Sequence, residues 1–361
     1  MRYDYAVCGN GPVGSYAAMC AAGDGDVALI GKKIEDIRCA GLISKSGLAK
    51  LGLLSCDFIL NKVRGSKIFS PDGTEIFIDG RKTKALVVDR IGFDNHVIDL
   101  ATDAGAVYID DWVTGIRPEM TLKNGGELKA GEKILAAGTV YTIQHDAGIP
   151  TPNEYLMGGQ YEMNVECDPD FVELHFDVPD FFAWVIPVGD HARVGLCVKG
   201  NPRPYLDAFV KKLEAAGRIR SSKRLSESFG VIPVHSPSFK AQYGDIRLVG
   251  DAAGHVKATT GGGIVLGCMC AKHATESDYE RQWRSEAGSE LRMHLFIHRF
   301  LNRLSDRGKD RFFGLLSRYN TILEESGDMD YAKKTVMSLL RNPGFAARSA
   351  VTLPWVLADI V

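Results

Sequence analysis

Gly9-Asn10-Gly11-Pro12-Val13-Gly14 has the spacing G-x-G-x-x-G. Where such a run follows a strand and opens a helix, the first-turn N–H groups lack backbone partners and can meet a pyrophosphate. Much later in the chain, Leu248-Val249-Gly250-Asp251-Ala252-Ala253-Gly254 precedes Lys257-Ala258-Thr259-Thr260-Gly261-Gly262-Gly263-Ile264. An Asp at a strand tip can accept a hydrogen bond from a ribityl chain. A triple-glycine loop opening a helix can turn N–H groups toward a flavin N1–O2 edge, which becomes anionic on two-electron reduction. Either run alone is explained by tight packing; together they predict a flavin dinucleotide.

The carboxylate that usually holds the ribose, about 20 residues beyond the first turn, is absent. Gly31 stands there, followed by Lys32 and Lys33. Glu35, Asp36 or the backbone is left to make that contact. Phe182 and Trp184 alternate along a strand and so project to one face, with Pro187 ending the run. They can wall an apolar tunnel or fill an ordinary core. His294 and His298 share a helix face at metal-ligand spacing, but no third ligand accompanies them, and they read as packed or solvated; no metal is expected.

The elements that must position these residues follow from periodicity. Residues 3–8, 12–22 and 26–30 read as strand, helix and buried strand, one βαβ unit. Residues 63–80 alternate around Pro71-Asp72-Gly73, as an antiparallel hairpin does. A helix over 90–104 stops at Gly105, and strands follow at 106–110 and 133–137. Between 151 and 227, YEMNVEC, VELHFDV, FAWVIPV and ARVGLCV read as successive strands, with a helix near 203–216. A strand enters the loop at 246–254, a small-residue helix covers 262–276, and the chain from 278 is mostly helical.

With 361 residues, 45% hydrophobic and 24% charged, the chain suits two or three packed units and can enclose a large ligand. A net charge of -2 offers nothing to nucleic acid. Eight cysteines without a C-x-x-C pair read as reduced thiols in a cytoplasmic protein, and no leader or membrane-spanning apolar run is apparent.

Gly9–Gly14, Arg38-Cys39-Ala40-Gly41, Arg90 with Phe93-Asp94, Phe182-Ala183-Trp184-Val185-Ile186-Pro187 and the paired VGDAAG and TTGGGI stretches resemble the archaeal-type geranylgeranyl reductases. That family lies within the flavoproteins of the p-hydroxybenzoate hydroxylase fold, and the resemblance runs to about residue 305. It implies an α/β architecture (α+β overall). A Rossmann-like FAD-binding domain (1–62, 83–150, 228–278) would carry an inserted antiparallel β-sheet substrate domain (63–82, 151–227) and a C-terminal helical region (279–361). It implies FAD held by Gly9, Gly11, Pro12, Val13, Gly14, Arg38, Cys39, Ala40, Arg90, Val113, Gly250, Asp251, Gly261, Gly262, Gly263 and Ile264, with substrate against Phe182, Trp184 and Pro187.

The activity implied is saturation of carbon–carbon double bonds in the geranylgeranyl chains of membrane lipids or prenyl precursors. Cys39 is then the candidate proton donor, its alternative being a small buried side chain. Ala137, in Ala136-Ala137-Gly138, replaces an expected Asp, and Ala258 replaces a common Pro. The first departure points to electrons from ferredoxin, a quinol or externally supplied NAD(P)H rather than a dedicated NADPH site. An isoprenoid lipid partner implies contact with a membrane surface, to which the apolar VTLPWVLADIV segment can contribute. The competing readings are a flavin monooxygenase or halogenase, for which Ile186 fits and Phe182 does not, and an electron carrier to quinone.

Overall fold

The computed structural model describes residues 2–35 and 39–358. Its first sheet is built on parallel strands in the order Ile246–Leu248, Glu127–Leu135, Arg2–Cys8, Val27–Ile30, Val107–Ile109. Val27–Ile30 is apolar and buried along its whole length, as a parallel strand covered on both faces must be. Cys8 lies level with Ile30 on one side and Leu135 on the other, and Leu135 with Leu248. The loops leaving four neighbouring strands therefore meet at one edge, on both sides of the strand where the connection reverses. That is where open α/β sheets bind ligands. Pro12–Ala21 packs there against Arg90–Asp103 and Ile264–Ala271.

The second sheet runs Ile219–Pro233, Tyr155–Val165, His191–Val198, Ala183–Val188, Phe171–His175, Gly65–Phe69, Glu75–Asp79. It is antiparallel except where the expected hairpin, Gly65–Phe69 with Glu75–Asp79, joins Phe171–His175 in parallel. Strict alternation divides its faces. Tyr161, Val185, Val194 and Leu196 pack under Leu206, Phe209 and Leu213 of the helix Arg203–Ala215, while Val172, Trp184, Ile186 and Cys197 face the other way. A small sheet of Leu42–Ser44, Ala85–Val88 and Ile59–Val63 lies between the two large ones in sequence and space.

The strand Ile219–Pro233 is not expected from the sequence and runs through residue 228. Its outer part, RSSKRLSES, is polar on both faces, so no period-2 signal exists. It is an edge strand, and its charges discourage further pairing. The small-residue helix is shorter than periodicity suggests, Ile264–Ala271. After Ile246–Leu248 the chain turns at once into a 3-10 segment, Gly250–Ala253. The C-terminal helices close over the hairpin, with Phe313, Leu315, Leu323, Leu339 and Phe345 around Ile76. Among the described residues no helix is long and apolar enough to cross a membrane.

Candidate active site

The first glycine turn is set by close approach. Gly9 has φ +108°, and a Cβ there would stand 2.3 Å from the Ala136 carbonyl oxygen; one on Gly14 would stand 1.9 Å from the Gly9 carbonyl oxygen. Strand, turn and helix can meet this tightly only without side chains. Gly11, the residue before the helix, supplies no side-chain cap and has open space where a Cβ would be. The first-turn N–H groups of Val13 and Gly14 are thus left for a ligand, since Pro12 has none.

Gly31 has its own cause. The Asn10 carboxamide occupies the space a Gly31 side chain would need, its Oδ1 only 2.2 Å from the Cβ position. Asn10 Nδ2 donates to the Lys32 carbonyl at 2.8 Å, and the Tyr108 hydroxyl donates to the Gly31 carbonyl at 2.8 Å. Amide and phenol groups therefore close the end of this strand. Glu35 is exposed and Asp36 lies outside the described residues.

At the second element, Gly250 takes φ +63° against Val13, and Asp251 faces into the site. Its carboxylate has no hydrogen-bond partner among the described residues. Burial pushes its pKa up to about 6, with the charge of Arg90 opposing. The loop that follows is closed by Gly261 N–H on the Lys257 carbonyl at 2.8 Å and by Lys257 N–H on the Gly262 carbonyl at 3.1 Å. It enters Ile264–Ala271 without a side-chain cap, so a second set of N–H groups opens on the same space.

That space is a cavity of about 1120 Å³. Gly11–Gly14, Cys39, Ala40, Arg90, Gly250, Asp251 and Gly261–Ile264 line one part, and Val172, Leu174, Phe182, Trp184, Ile186 and Ile232 another. Lys45, Arg64, Lys82, Lys84 and Lys334 stand on its lining with Glu324 and Glu325. Gly9 spaces the turn without lining the cavity. Pro187 is also outside the lining, its carbonyl accepting from Asn61 Nδ2 at 3.1 Å, and Val113 lies buried in the separate strand Val113–Gly115. Arg38 lies outside the described residues. His298 is buried beside Asn302 rather than on the cavity, and no cluster suited to a metal occurs among the described residues.

Cys39 Sγ accepts from Gly41 N–H at 3.4 Å. Arg90 is fixed by both oxygens of Asp94, at 2.9 and 3.0 Å. Burial opposes its charge, but the adjacent Cys39 and Asp94 outweigh that and its pKa is raised. Sequence reasoning missed Arg193, which reaches from the antiparallel sheet to donate to the carbonyls of Ala40 at 3.0 Å and Val88 at 3.2 Å while pairing with Glu162. A Cβ on Gly41 would meet its guanidinium at 2.5 Å. This buried arginine ties the Cys39 turn to the other sheet, and no local pattern announces it. Trp184 donates to Gln160 Oε1 at 3.2 Å, and its ring fills the space that Gly195 leaves open.

The residues present fit a flavin dinucleotide. Free N–H groups of the first helix suit a pyrophosphate, the unpartnered Asp251 carboxylate suits a ribityl hydroxyl, and the Gly261–Gly263 turn suits a polar ring edge.

No family model matches the chain. It is 31% identical over 316 residues to the digeranylgeranylglycerophospholipid reductase of Methanococcus vannielii, covering 79% of this chain and 80% of that one. To the enzyme of the same name in Methanosarcina acetivorans it is 32% identical over 343 residues, 81% and 83% of the two chains. Among solved structures, a geranylgeranyl bacteriochlorophyll reductase-like protein of Thermoplasma acidophilum superposes with a TM-score of 0.78 at 24% identity, covering 97% of this chain and 99% of that one. A flavin-dependent brominase superposes at 0.65 with 15% identity, covering 100% and 95%. At those identities the solved structures establish a shared fold.

Proposed function

The chain belongs to the digeranylgeranylglycerophospholipid reductase family, and from that premise we propose that it is an FAD-dependent reductase saturating double bonds in isoprenoid chains of membrane lipids. The observation that carries this reading is a single cavity, bounded by two dinucleotide-type turns and, across the same space, by the apolar face of the antiparallel sheet. FAD, when bound, supplies the hydride that one alkene carbon takes up.

The chain's own residues do the rest. Val13 and Gly14 N–H groups would hold the pyrophosphate, Asp251 the ribityl hydroxyls, and Asn10 with Tyr108 would border the adenosine end. An unpolarised alkene needs a placed acid. Cys39 Sγ holds the proton for the second alkene carbon, and Gly41 N–H and Arg90 face the negative charge that the sulfur then carries. Phe182, Trp184 and Ile186 keep water from the alkene. Lys45, Lys82, Lys84 and Lys334 offer cations to an anionic headgroup on a chain drawn from a membrane surface. The reductant in this reading is a separate donor, because Ala137 stands where NADPH-using relatives of this fold carry an Asp.

The test is anaerobic: reduce the protein with dithionite, add digeranylgeranylglycerophospholipid and weigh the product. Addition of one H2 per double bond is expected. Unchanged lipid with rapid quinone reduction would sink the proposal in favour of an electron carrier. Oxygen incorporation on admitting air would favour a monooxygenase.

A further inference from the structure

Lys257 begins the loop that leads into Ile264–Ala271, yet the residue is only 4% exposed. Its Nζ lies 2.5 Å from Asp330 Oδ1 and donates to the Met329 carbonyl at 3.1 Å. Asp330 is fully buried and arrives from the far end of the chain, just before the helix Ala332–Arg341. Its other oxygen accepts from the Ser44 hydroxyl, which in turn accepts from Gly47 N–H at 2.9 Å. His294 closes the cluster, Nε2 facing the Asp330 carbonyl at 3.3 Å and Nδ1 the Thr259 hydroxyl at 2.5 Å. Because a carbonyl only accepts, Nε2 carries the hydrogen and Nδ1 receives one from Thr259. Burial and the nearby Lys257 charge push the His294 pKa down to about 4, so the ring is neutral.

Stability alone is a poor reason for such a pair. Desolvating two ions is costly, and an apolar substitute commonly does as well. Orientation is the informative feature. A Cβ at Gly262 would stand 3.3 Å from Lys257 Nζ, so the cation rests against the glycine loop. The carboxylate is turned the other way, its Oδ2 engaged by Ser44 and 2.8 Å from the Cβ position of Gly47. The positive end therefore faces the loop and the negative end the helix Lys45–Lys50. Ser44, Lys257, Thr259, His294 and Asp330 all line the same cavity as Asp251 and Cys39.

We propose that Lys257, held in place by Asp330, is a tuning residue for the bound cofactor: its charge backs the Gly261–Gly263 turn and favours the reduced, anionic flavin over the oxidised, neutral one. This rests on the FAD reading above. The cation adds to the partial positive charge of the uncapped helix N-terminus on the same loop, and low-dielectric surroundings let both act at short range. Asp330 sets the magnitude, since it cancels part of the field. The C-terminal region thus reaches the redox site through one carboxylate.

The experiment poises purified holoprotein against a redox dye and reads the ratio of reduced to oxidised FAD by absorbance, with bound FAD counted separately. Lys257→Gln is expected to lower that ratio about tenfold at fixed dye potential, with FAD still bound. Asp330→Asn, which keeps the cation and removes its counter-charge, is expected to raise it by about threefold or more. Opposite signs distinguish a charge effect from damage, which moves both variants the same way. An unchanged ratio with FAD retained, or a shift of the same sign in both, overturns the proposal while leaving the FAD reading intact. FAD loss in Lys257→Gln that Lys257→Arg does not restore also overturns it. Wild-type protein that takes up no FAD refutes the FAD reading itself.

Discussion

The parallel sheet and the antiparallel sheet border one cavity but build their shares of it differently. The parallel side works with backbone: glycines where a Cβ would strike a carbonyl at 1.9 and 2.3 Å, and helix ends left uncapped. The antiparallel side works with side chains of ordinary core type, Trp184 and Ile186 on one face and Val185 on the other. Backbone geometry tolerates almost no substitution, whereas an apolar wall tolerates many of similar volume.

The contrast can be broken most severely at Gly14. Gly14→Ala puts a methyl into the Gly9 carbonyl and is expected to cost more than about 3 kcal/mol of stability and to abolish FAD binding; thermal melts and bound-flavin absorbance read both. Gly195→Ala is the matched change on the antiparallel side. Its methyl meets the Trp184 ring at 2.4 Å, a side chain with an open cavity beside it, so FAD should stay bound while lipid turnover falls. If Gly195→Ala also empties the flavin site, the two sides are not separable.

Cys39 stands where the sides meet. Cys39→Ala is expected to slow alkene reduction about a hundredfold with flavin reduction by dithionite unchanged, measured by anaerobic rapid mixing. Equal slowing of both steps would make Cys39 a packing residue.

Asp251 sharpens the comparison through pH. Its folded pKa, about 6, lies above its ordinary 3.8, so the folded protein binds the extra proton between those values and loses stability as pH rises through them. The penalty is fully present above about pH 6. Asp251→Asn should therefore stabilise flavin-free protein at pH 7 by about 1–2 kcal/mol, with no gain at pH 3.5, and weaken FAD binding about tenfold. Denaturant melts at both pH values and FAD titration check it. The smallest effect is expected at the rim: Lys82→Gln should weaken binding of anionic over neutral lipid by about two- to threefold in low salt and by less in high salt.

The glycine turns, the hairpin around Pro71-Asp72-Gly73 and the four strands between 155 and 198 were legible because each rests on a local rule: φ sign, close approach, or a period of two. The strand Ile219–Pro233 was not, since its outer half has no apolar face to alternate with, and an edge strand needs none. Trp184 illustrates the boundary between the two kinds of knowledge. Alternation places it on a face with Phe182, and both do line the cavity, but that this face borders a cavity rather than a filled core depends on how the sheets pack.

The backbone turns can be read directly from residue order, because the steric demand that makes them glycine acts within a few residues or between strand ends that the fold class already brings together. Packing in three dimensions decided that Asn10 would fill the space beside Gly31, that Arg193 would fasten the Cys39 turn, and that Asp330 would meet both Lys257, 73 residues before it, and Ser44, 286 residues before it. Those contacts are single side chains whose partners are chosen by packing. Their types are common and their sequence separations arbitrary, and charge and hydrogen-bonding capacity become specific only once burial removes water as the alternative partner.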